Sequence, residues 1–476
     1  MRKIGISILA VLLLLCWGCN DWLDVRPKSQ VKESDLFESE SGFRDALTGI
    51  YVLMGRSESY GGQRTMGLMD MVAQTYTSVH YKLEGIVSYN YQVDAVKALI
   101  DTLWSTSYNE IANCNYLLKN IAEHGDVMSD DLRALVEGEA LALRAFLHFD
   151  LLRGYAPSYK MGKDDLAIPY IREITNAPVA QSTVSEVLDY ILEDLTAAKK
   201  LLEPIDPIGP AFADYSEAAE EDYEPDDYIT DDGFWLYRTS RMNYYGVVAC
   251  MARVYLYKED MQNALSSALE VINSGRFEFI SDAIRAEESY DYEYMESVAR
   301  HEYITSLYVY DMLEGRSDVF FKSLATYECT IDDGRKSSIF TDLGINLDIR
   351  SKNMFGPRDA SGGEYVNKYM TGTQIPLIKL SEMYLIAAEA SGDISYLETL
   401  RANRGYGSNP LPADADLQEE IQNEYRKEFI AEGQLFYYYK RQNLASIPFA
   451  SQTMSRDTYV FPVPDNELEF GNFKQE

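Results

Sequence analysis

The stretch GEALALRAFLHFDLLRGYAP, residues 138–157, belongs to the clearest helical segment of this sequence. From about Asp131 to Tyr155, apolar side chains recur at the spacing of one helix face, namely Leu132, Val136, Leu143, Leu147 and Leu151. In a folded protein an apolar stripe of this kind is buried against neighbouring elements. The segment therefore predicts a long helix that packs against other helices.

Two further regions extend this pattern. A helix is predicted from about Leu417 to Phe436, with Asp416 and Glu419 resembling a capping pair at its start. Its apolar residues recur every four positions and are Leu417, Ile421, Tyr425 and Phe429. Residues 241–279 predict two helices of about fifteen residues on either side of Lys258–Gln262, ended by Gly275.

The second of these regions also allows a test for repeats. Ala252, Tyr255 and Ala264 have the separations of the small, aromatic and small positions of a tetratricopeptide repeat, in which small residues let paired helices approach closely. Leu377–Ser391 and Ile394–Asn403 look like another pair, with Ser381 and Tyr384 in the corresponding places. Generic paired helices give similar patterns, so periodicity alone supports both interpretations about equally.

Long irregular segments are expected between the helices, chiefly at residues 56–96, 204–240 and 276–375. Loops of that size in a compact domain are usually functional. Residues 214–232, DYSEAAEEDYEPDDYITDD, hold ten acidic residues of nineteen. Closely spaced carboxylates suit calcium. No D-x-D-x-D-G loop is present, so we favour a solvated insertion over a calcium site.

The chain begins with the features of a lipoprotein signal. Arg2 and Lys3 precede an apolar run from Ile4 to Trp17, which is too short to span a bilayer comfortably. Cys19 follows the small residue Gly18, as at a lipoprotein cleavage site. We therefore expect residues 1–18 to be a lipoprotein signal peptide, Cys19 to be the lipidated residue and 19–476 to form one large domain. An ordinary cleaved signal is the alternative.

Composition excludes several functions. The 76 acidic residues outnumber the 43 basic ones, for a formal net charge of −33, which argues against nucleic-acid binding and against attachment to anionic lipid by charge. Cys114, Cys250 and Cys329 have no spacing typical of disulfides or metal sites, and we interpret them as core residues. The four histidines are scattered and form no metal or catalytic motif. We expect no cofactor and no metal site.

Seven blocks, in order along nearly the whole chain, resemble those of the SusD/RagB family of starch-utilisation lipoproteins. They are CNDWLDVRPKSQ at 19–30, GEALALRAFLHFDLLRGYAP at 138–157, VVACMARVYLYKEDMQNALSSALEVINSGRFEF at 247–279, IPLIKLSEMYLIAAEASGD at 375–393, RANRGYG at 401–407, EYRKEFIAEGQLFYYYKR at 424–441 and YVFPVPDNEL at 459–468. The resemblance implies a mainly α fold, a tetratricopeptide-like scaffold of about four helix pairs with long loop-rich ligand-binding insertions and short strands.

The resemblance also implies a function. Such proteins capture a nutrient at the cell surface and deliver it to a SusC-type TonB-dependent outer-membrane transporter, acting as its lid. The expected ligand is an oligosaccharide or an oligopeptide, and we expect no enzymatic activity. Several charged residues would then serve in ion pairs between helices, namely Glu139, Arg144, Glu389, Arg426, Glu428 and Glu432. A helical-repeat envelope scaffold without a small ligand and a secreted glycan hydrolase are the alternatives.

The ligand face is expected to be rich in tyrosine. Tyrosine outnumbers phenylalanine by 37 to 18, and its stiff ring with a polar edge suits recognition surfaces. The resemblance places the ligand near the loop before a helix that begins W-x-x-x-Y-x-x-I, here Trp104, Tyr108 and Ile111. The expected ligand-binding residues are Tyr89, Asn90, Tyr91, Tyr81 and Trp235, and we expect Trp104 itself to lie in the core.

Overall fold

The computed structural model describes residues 36–79, 83–212, 233–279, 300–310, 312, 329–358, 362–366, 368–369 and 373–474. The α-helices within these residues are α1 (Glu40–Met54), α2 (Leu68–Val72), α3 (Glu84–Val87), α4 (Asp94–His124), α5 (Asp130–Tyr155), α6 (Tyr159–Gly162), α7 (Val184–Leu202), α8 (Tyr244–Tyr257), α9 (Met261–Ile272), α10 (Asp333–Leu347), α11 (Ile349–Asn353), α12 (Leu380–Ser391), α13 (Ile394–Arg401), α14 (Leu417–Glu428), α15 (Leu435–Gln442), α16 (Arg456–Tyr459) and α17 (Asp465–Phe470). None of these described helices has an apolar stretch long enough to cross a bilayer.

The strands are short and form two small antiparallel sheets. They are β1 (Tyr303–Tyr308), β2 (Thr330–Ile331), β3 (Phe355–Arg358), β4 (Glu364–Val366) and β5 (Gln374–Lys379). β1 pairs with β5, and β4 lies between β2 and β3. A π-turn at Ala402–Tyr406 and a 3₁₀ turn at Arg238–Ser240 complete the elements that the functional argument uses.

The helices pack side by side as four successive pairs. These pairs are α1 with α4, α5 with α7, α8 with α9, and α12 with α13. Neighbouring pairs contact each other through α4 and α5, α7 and α8, and α9 and α12. This continuous series confirms the predicted tetratricopeptide-like scaffold and favours repeats over unrelated paired helices.

Helix α5 confirms the prediction made from its apolar stripe. It begins at Asp130, where the hydroxyl of Ser129 accepts a hydrogen bond from the Leu132 N–H, and it ends at Tyr155. A Cβ atom added at Gly138 would lie 2.8 Å from the side chain of Leu202 on α7. The missing side chain at this position therefore lets α5 and α7 approach closely.

The pair formed by α8 and α9 also follows the sequence. The two helices are separated by residues 258–260, close to the predicted break, and Gly275 adopts the left-handed φ of +66° that ends the segment. Ala252 and Ala264 are fully buried. These small residues stand where the repeat pattern requires close contact between the paired helices.

Several of the predicted boundaries are wrong. The helix expected to begin at Trp104 begins ten residues earlier, at Asp94. Residues 377–379 belong to strand β5, so α12 begins at Leu380. The segments expected to be irregular at 56–96 and 276–375 contain the short helices α2, α3 and α11, the longer α10, and the strands β1 to β4. Their elements are too short to show a clear period, apart from α10, which Asp332 caps.

The single helix predicted for 417–436 is also wrong, because the chain turns sharply between α14 and α15. Ala431 and Gly433 adopt left-handed φ values of +61° and +69°. The buried carboxylate of Asp70 accepts hydrogen bonds from the N–H groups of both residues. A residue on α2 thus replaces the helical hydrogen bonds that a continuous helix would have supplied.

The charged residues expected in ion pairs between helices mostly form them. Arg144 on α5 makes a bidentate pair with Asp194 on α7, and Glu389 on α12 makes one with Arg441 on α15. The carboxylate of Glu139 forms an ion pair with the guanidinium of Arg238 at 2.6 Å. Arg426 differs, since it donates to the hydroxyl and carbonyl oxygens of Ser338.

A buried ionic network surrounds the end of α14. Glu428 accepts from Arg350 at 2.7 Å, Arg404 at 2.9 Å and Lys379 at 3.0 Å. Glu432, which lies in the turn after α14 and not on a helix as predicted, accepts from Lys379 at 2.7 Å. The network joins α11, the π-turn and β5 to the C-terminal helices.

Replacing Gly433 with alanine is expected to lower the free energy of unfolding by roughly 3 kcal/mol. The added Cβ atom would lie 2.0 Å from the carbonyl oxygen of Arg64, at a φ of +69°. Gly275→Ala is the matched control, because Gly275 has a similar φ of +66° and no atom within 4 Å of its Cβ position. Gly275→Ala should lower the free energy of unfolding by only about 1 kcal/mol, through backbone strain. Urea unfolding measures both variants. Equal decreases in the free energy of unfolding for Gly433→Ala and Gly275→Ala would show that contact with the Arg64 segment does not constrain the turn.

Candidate functional site

A shallow cleft lies where the segment after α2 meets the segment after α15. Its walls come from five separate parts of the chain and include Ala73, Gln74, Thr75, Ile339, Arg426, Leu435, Tyr439, Pro448 and Phe449. The cleft therefore combines loop residues with the C-terminal helices that the ionic network holds in place.

Two residues that line this cleft, and a third that is hydrogen-bonded to one of them, have left-handed backbones although none is glycine. The φ values are +61° for Gln74, +54° for Tyr89 and +68° for Phe449. Such conformations are strained, most of all for bulky side chains, and they are concentrated at ligand-binding and catalytic sites. The Gln74 side chain joins two of the three, because its amide donates to the Tyr89 hydroxyl at 3.1 Å.

An arginine fixes the third strained residue to the same wall. The guanidinium of Arg335 lies 4.1 Å from the ring centroid of Phe449, and it donates to the carbonyl oxygens of Gln74 and Tyr76. The Phe449 side chain remains 43% exposed. A large ring is thus held at the surface by a cation that is itself anchored to the backbone opposite.

The structure places the expected ligand-binding residues in different surroundings. Tyr89 and Tyr91 are buried, at 7% and 5% exposure, and their hydroxyls donate to the carbonyl oxygens of Val72 and Thr458. Burial raises the pKa of Tyr89 to about 12. Asn90 lies between them and is exposed. None of these three residues is among those that line the cleft, but Tyr89 is joined to the lining by its hydrogen bond with Gln74.

The remaining two expected residues lie elsewhere. Trp235 is half-buried and follows Phe234, whose ring lies under the guanidinium groups of Arg44 and Arg241. It is not among the residues that line the cleft. Tyr81, His80, the acidic segment 214–232, Cys19 and the signal peptide lie outside the described residues.

Other loop aromatics divide into core and surface groups. Tyr60 and Tyr76 are buried, with hydroxyls that donate to Asp150 at 2.6 Å and to the Met66 carbonyl at 2.7 Å. Tyr237, Tyr308 and Tyr310 are exposed.

Sequence reasoning missed Gln74, Arg335 and Phe449, because no periodicity or motif marks them. The strained backbones of Gln74 and Phe449 are visible only in three dimensions.

The cysteines and one of the histidines lie in the core of the described part of the chain. Cys114, Cys250 and Cys329 are buried, which confirms that they are core residues. His148 stacks on Tyr170 at 3.9 Å, and burial lowers its pKa to about 3. No group of three or more His, Cys, Asp or Glu residues among those described is placed to hold a metal ion.

Comparison with known proteins agrees with this architecture. Residues 21–206 match a SusD-like family model described as "Starch-binding associating with outer membrane". This match shows that residues 21–206 are similar to SusD-like proteins. The resemblance drawn from the seven sequence blocks is thereby confirmed.

Solved structures show that the SusD-like fold extends over nearly the whole chain. A SusD superfamily protein from Bacteroides thetaiotaomicron has a TM-score of 0.69 at 20% identity, covering 92% of this chain and 99% of that one. A SusD-like carbohydrate binding protein from Bacteroides vulgatus has a TM-score of 0.68 at 18% identity, covering 91% and 97%. Identities this low establish similarity of fold.

A curated relative matches a shorter part. SusD-like protein P25 from Formosa agariphila is 24% identical over 202 residues, which make up 40% of this chain and 37% of that protein. The match therefore spans little more than a third of the relative's length.

A buried carboxyl group on α4 faces the segment before α2. Glu110 on α4 is fully buried and faces Ser59 and Arg64. Burial raises the pKa of Glu110 to about 7, against the opposing effect of Arg64. Arg64 in turn contacts the turn at Gly433 through its carbonyl oxygen.

Glu110→Gln is expected to change how stability depends on pH. Between about pH 4.5 and pH 7 the unfolded chain has released the Glu110 proton while the folded protein keeps it. The unfolded state therefore binds fewer protons, and this group lowers the free energy of unfolding as pH rises, by about 3 kcal/mol in total. Glutamine cannot titrate, so Glu110→Gln lacks this loss. The free energy of unfolding of the variant, relative to that of the unmodified protein, should therefore rise by about 3 kcal/mol between pH 4.5 and pH 7.

Urea unfolding at several pH values tests this expectation. Glu123→Gln, an exposed position on the same helix, is the control and should leave the pH profile unchanged. Parallel profiles for Glu110→Gln and the unmodified protein would contradict the account.

Proposed function

We propose that this protein is a cell-surface nutrient-binding lipoprotein that captures an oligosaccharide. Its family carries the description of starch binding in association with the outer membrane, and a fold relative is named a carbohydrate binding protein. The observation that carries the proposal is the cleft, which presents an exposed aromatic ring held by strain and by a cation in this SusD-like fold.

The cleft has the chemical groups that a sugar requires. The face of Phe449 would stack against the C–H face of a sugar ring, while Asn90 and Arg335 would satisfy its hydroxyl groups. Tyr89 and Tyr91 would support Asn90 from below, and an oligosaccharide longer than the cleft would reach Tyr81 or Trp235. An extended peptide would use the same ring together with backbone hydrogen bonds, and it is the alternative ligand.

The proposal extends to the anchor and the partner. Cys19 would carry the acyl chains after removal of residues 1–18, and these chains would hold the protein on the outer membrane, facing the exterior. Delivery to a SusC-type TonB-dependent transporter would follow, with this protein acting as a lid. Catalysis is not part of the proposal.

Calorimetric titration of the chain from residue 20 against panels of oligosaccharides and of short peptides tests the proposal. We expect saturable binding to oligosaccharides, weakened about tenfold or more by Phe449→Ala and by Asn90→Ala, since each removes a direct contact. Phe470→Ala is the matched control, because Phe470 is also an exposed ring but lies on α17 and does not line the cleft. It should bind normally.

The outcomes separate the alternatives. Binding to peptides alone would change the ligand class, and binding that Phe449→Ala leaves intact would place the ligand elsewhere. Absence of binding to either panel would favour the envelope scaffold. Release of shortened products from a glycan would favour the hydrolase.

A further inference from the structure

A second cleft, which we name the C-terminal cleft, lies between helix α4 and the residues after α17. It has a volume of about 130 Å³, and its lining includes Trp104, Tyr108, Pro169, Glu467 and Phe473. It shares no lining residue with the cleft at Phe449. Its chemistry is therefore independent of the function proposed above.

Three aromatic rings meet in this cleft. Trp104 and Tyr108 are one turn apart on α4, with ring centroids 4.9 Å apart, and the Phe473 ring lies 5.9 Å from Trp104. Gly471 allows this arrangement, because a Cβ atom there would lie 2.3 Å from the carbonyl oxygen of Glu467. After this tight turn, Asn472 pairs with Ala180 and holds Phe473 against α4.

The polar groups of the cleft favour a positively charged ligand. The faces of aromatic rings carry negative charge density and attract cations, most strongly where water is excluded. Glu467 also lines the cleft, and its carboxylate is near enough to Tyr108 to act on it electrostatically, so it supplies a full negative charge. A chain with a formal net charge of −33 also attracts cations over longer distances. A neutral apolar ligand would leave the Glu467 carboxylate unused.

One buried donor adds a further requirement. The indole N–H of Trp104 is buried and has no hydrogen-bond partner among the residues that the structure describes. An unsatisfied buried donor is costly, so a ligand whose acceptor oxygen reached this N–H would remove the cost. The Tyr108 hydroxyl already donates to the Pro169 carbonyl at 2.9 Å and leaves the indole as the donor in need of a partner.

We propose that the C-terminal cleft binds an alkylammonium group that carries a neighbouring hydroxyl. The ammonium group lies against the rings of Trp104, Tyr108 and Phe473 and is neutralised by Glu467. The hydroxyl oxygen accepts the hydrogen bond of the Trp104 indole. No covalent step is involved.

Titration of the purified full-length protein with choline and with 3,3-dimethyl-1-butanol tests the proposal. The two molecules have nearly the same shape, and only choline is charged. We expect choline to bind saturably and about tenfold more tightly than the neutral alcohol. Equal affinity for the two molecules, or no saturable binding of choline, would overturn the proposal.

Two variants locate the binding. Glu467→Gln should weaken choline about tenfold and leave the neutral alcohol unchanged, whereas Glu469→Gln, on the same helix but outside the cleft, should change neither. Phe473→Leu keeps an apolar side chain without a ring, so it should weaken choline selectively while the protein remains folded. Choline binding that survives both Glu467→Gln and Phe473→Leu would overturn the assignment to this cleft.

Discussion

The buried charge of Glu428 is the constraint on which the remaining arrangement depends. A carboxylate removed from water is tolerated only where cations and hydrogen bonds replace its hydration. Although burial alone would raise it, the pKa of Glu428 is held well below its usual value by Arg404, Lys379 and Arg350. These cations come from three different elements, so satisfying one carboxylate fixes the relative positions of the π-turn, β5 and α11.

That junction determines where the cleft can form. Immediately after Glu428 the chain turns on the Asp70 carboxylate, and α15 then leads to the segment that carries Phe449. Asp70 itself lies on α2, which ends just before the strained Gln74. Two of the segments that form the cleft are therefore joined at a single turn. Strain at Gln74, Tyr89 and Phe449 persists because the surrounding contacts leave these residues no relaxed alternative.

The sequence was informative where structure depends on local periodicity. Helix α5 could be predicted to within one residue because its apolar stripe and the cap at Ser129 act over short distances. The break between α14 and α15 could not be predicted, because its hydrogen bonds go to Asp70, far away in the chain. Periodicity instead predicted one helix that continued through the turn to about Phe436.

The cleft shows the same division. The sequence directed attention to residues 89–91, of which Tyr89 is hydrogen-bonded to the lining residue Gln74, but not to Phe449 or Gln74. None of the strained residues is a glycine, so composition gives no sign of their left-handed backbones. Burial of the Tyr89 and Tyr91 rings likewise depends on contacts with Val72 and Thr458, which no local pattern records.

The most direct test of this account is the free energy of unfolding of Glu428→Gln, measured with urea beside Glu419→Gln, an exposed position on the same helix. Removing the charge would leave several buried cations short of a partner, and we predict a loss of roughly 3–5 kcal/mol for Glu428→Gln and almost none for the control. A loss below about 1 kcal/mol, similar to that of a surface ion pair, would contradict the central role of this residue.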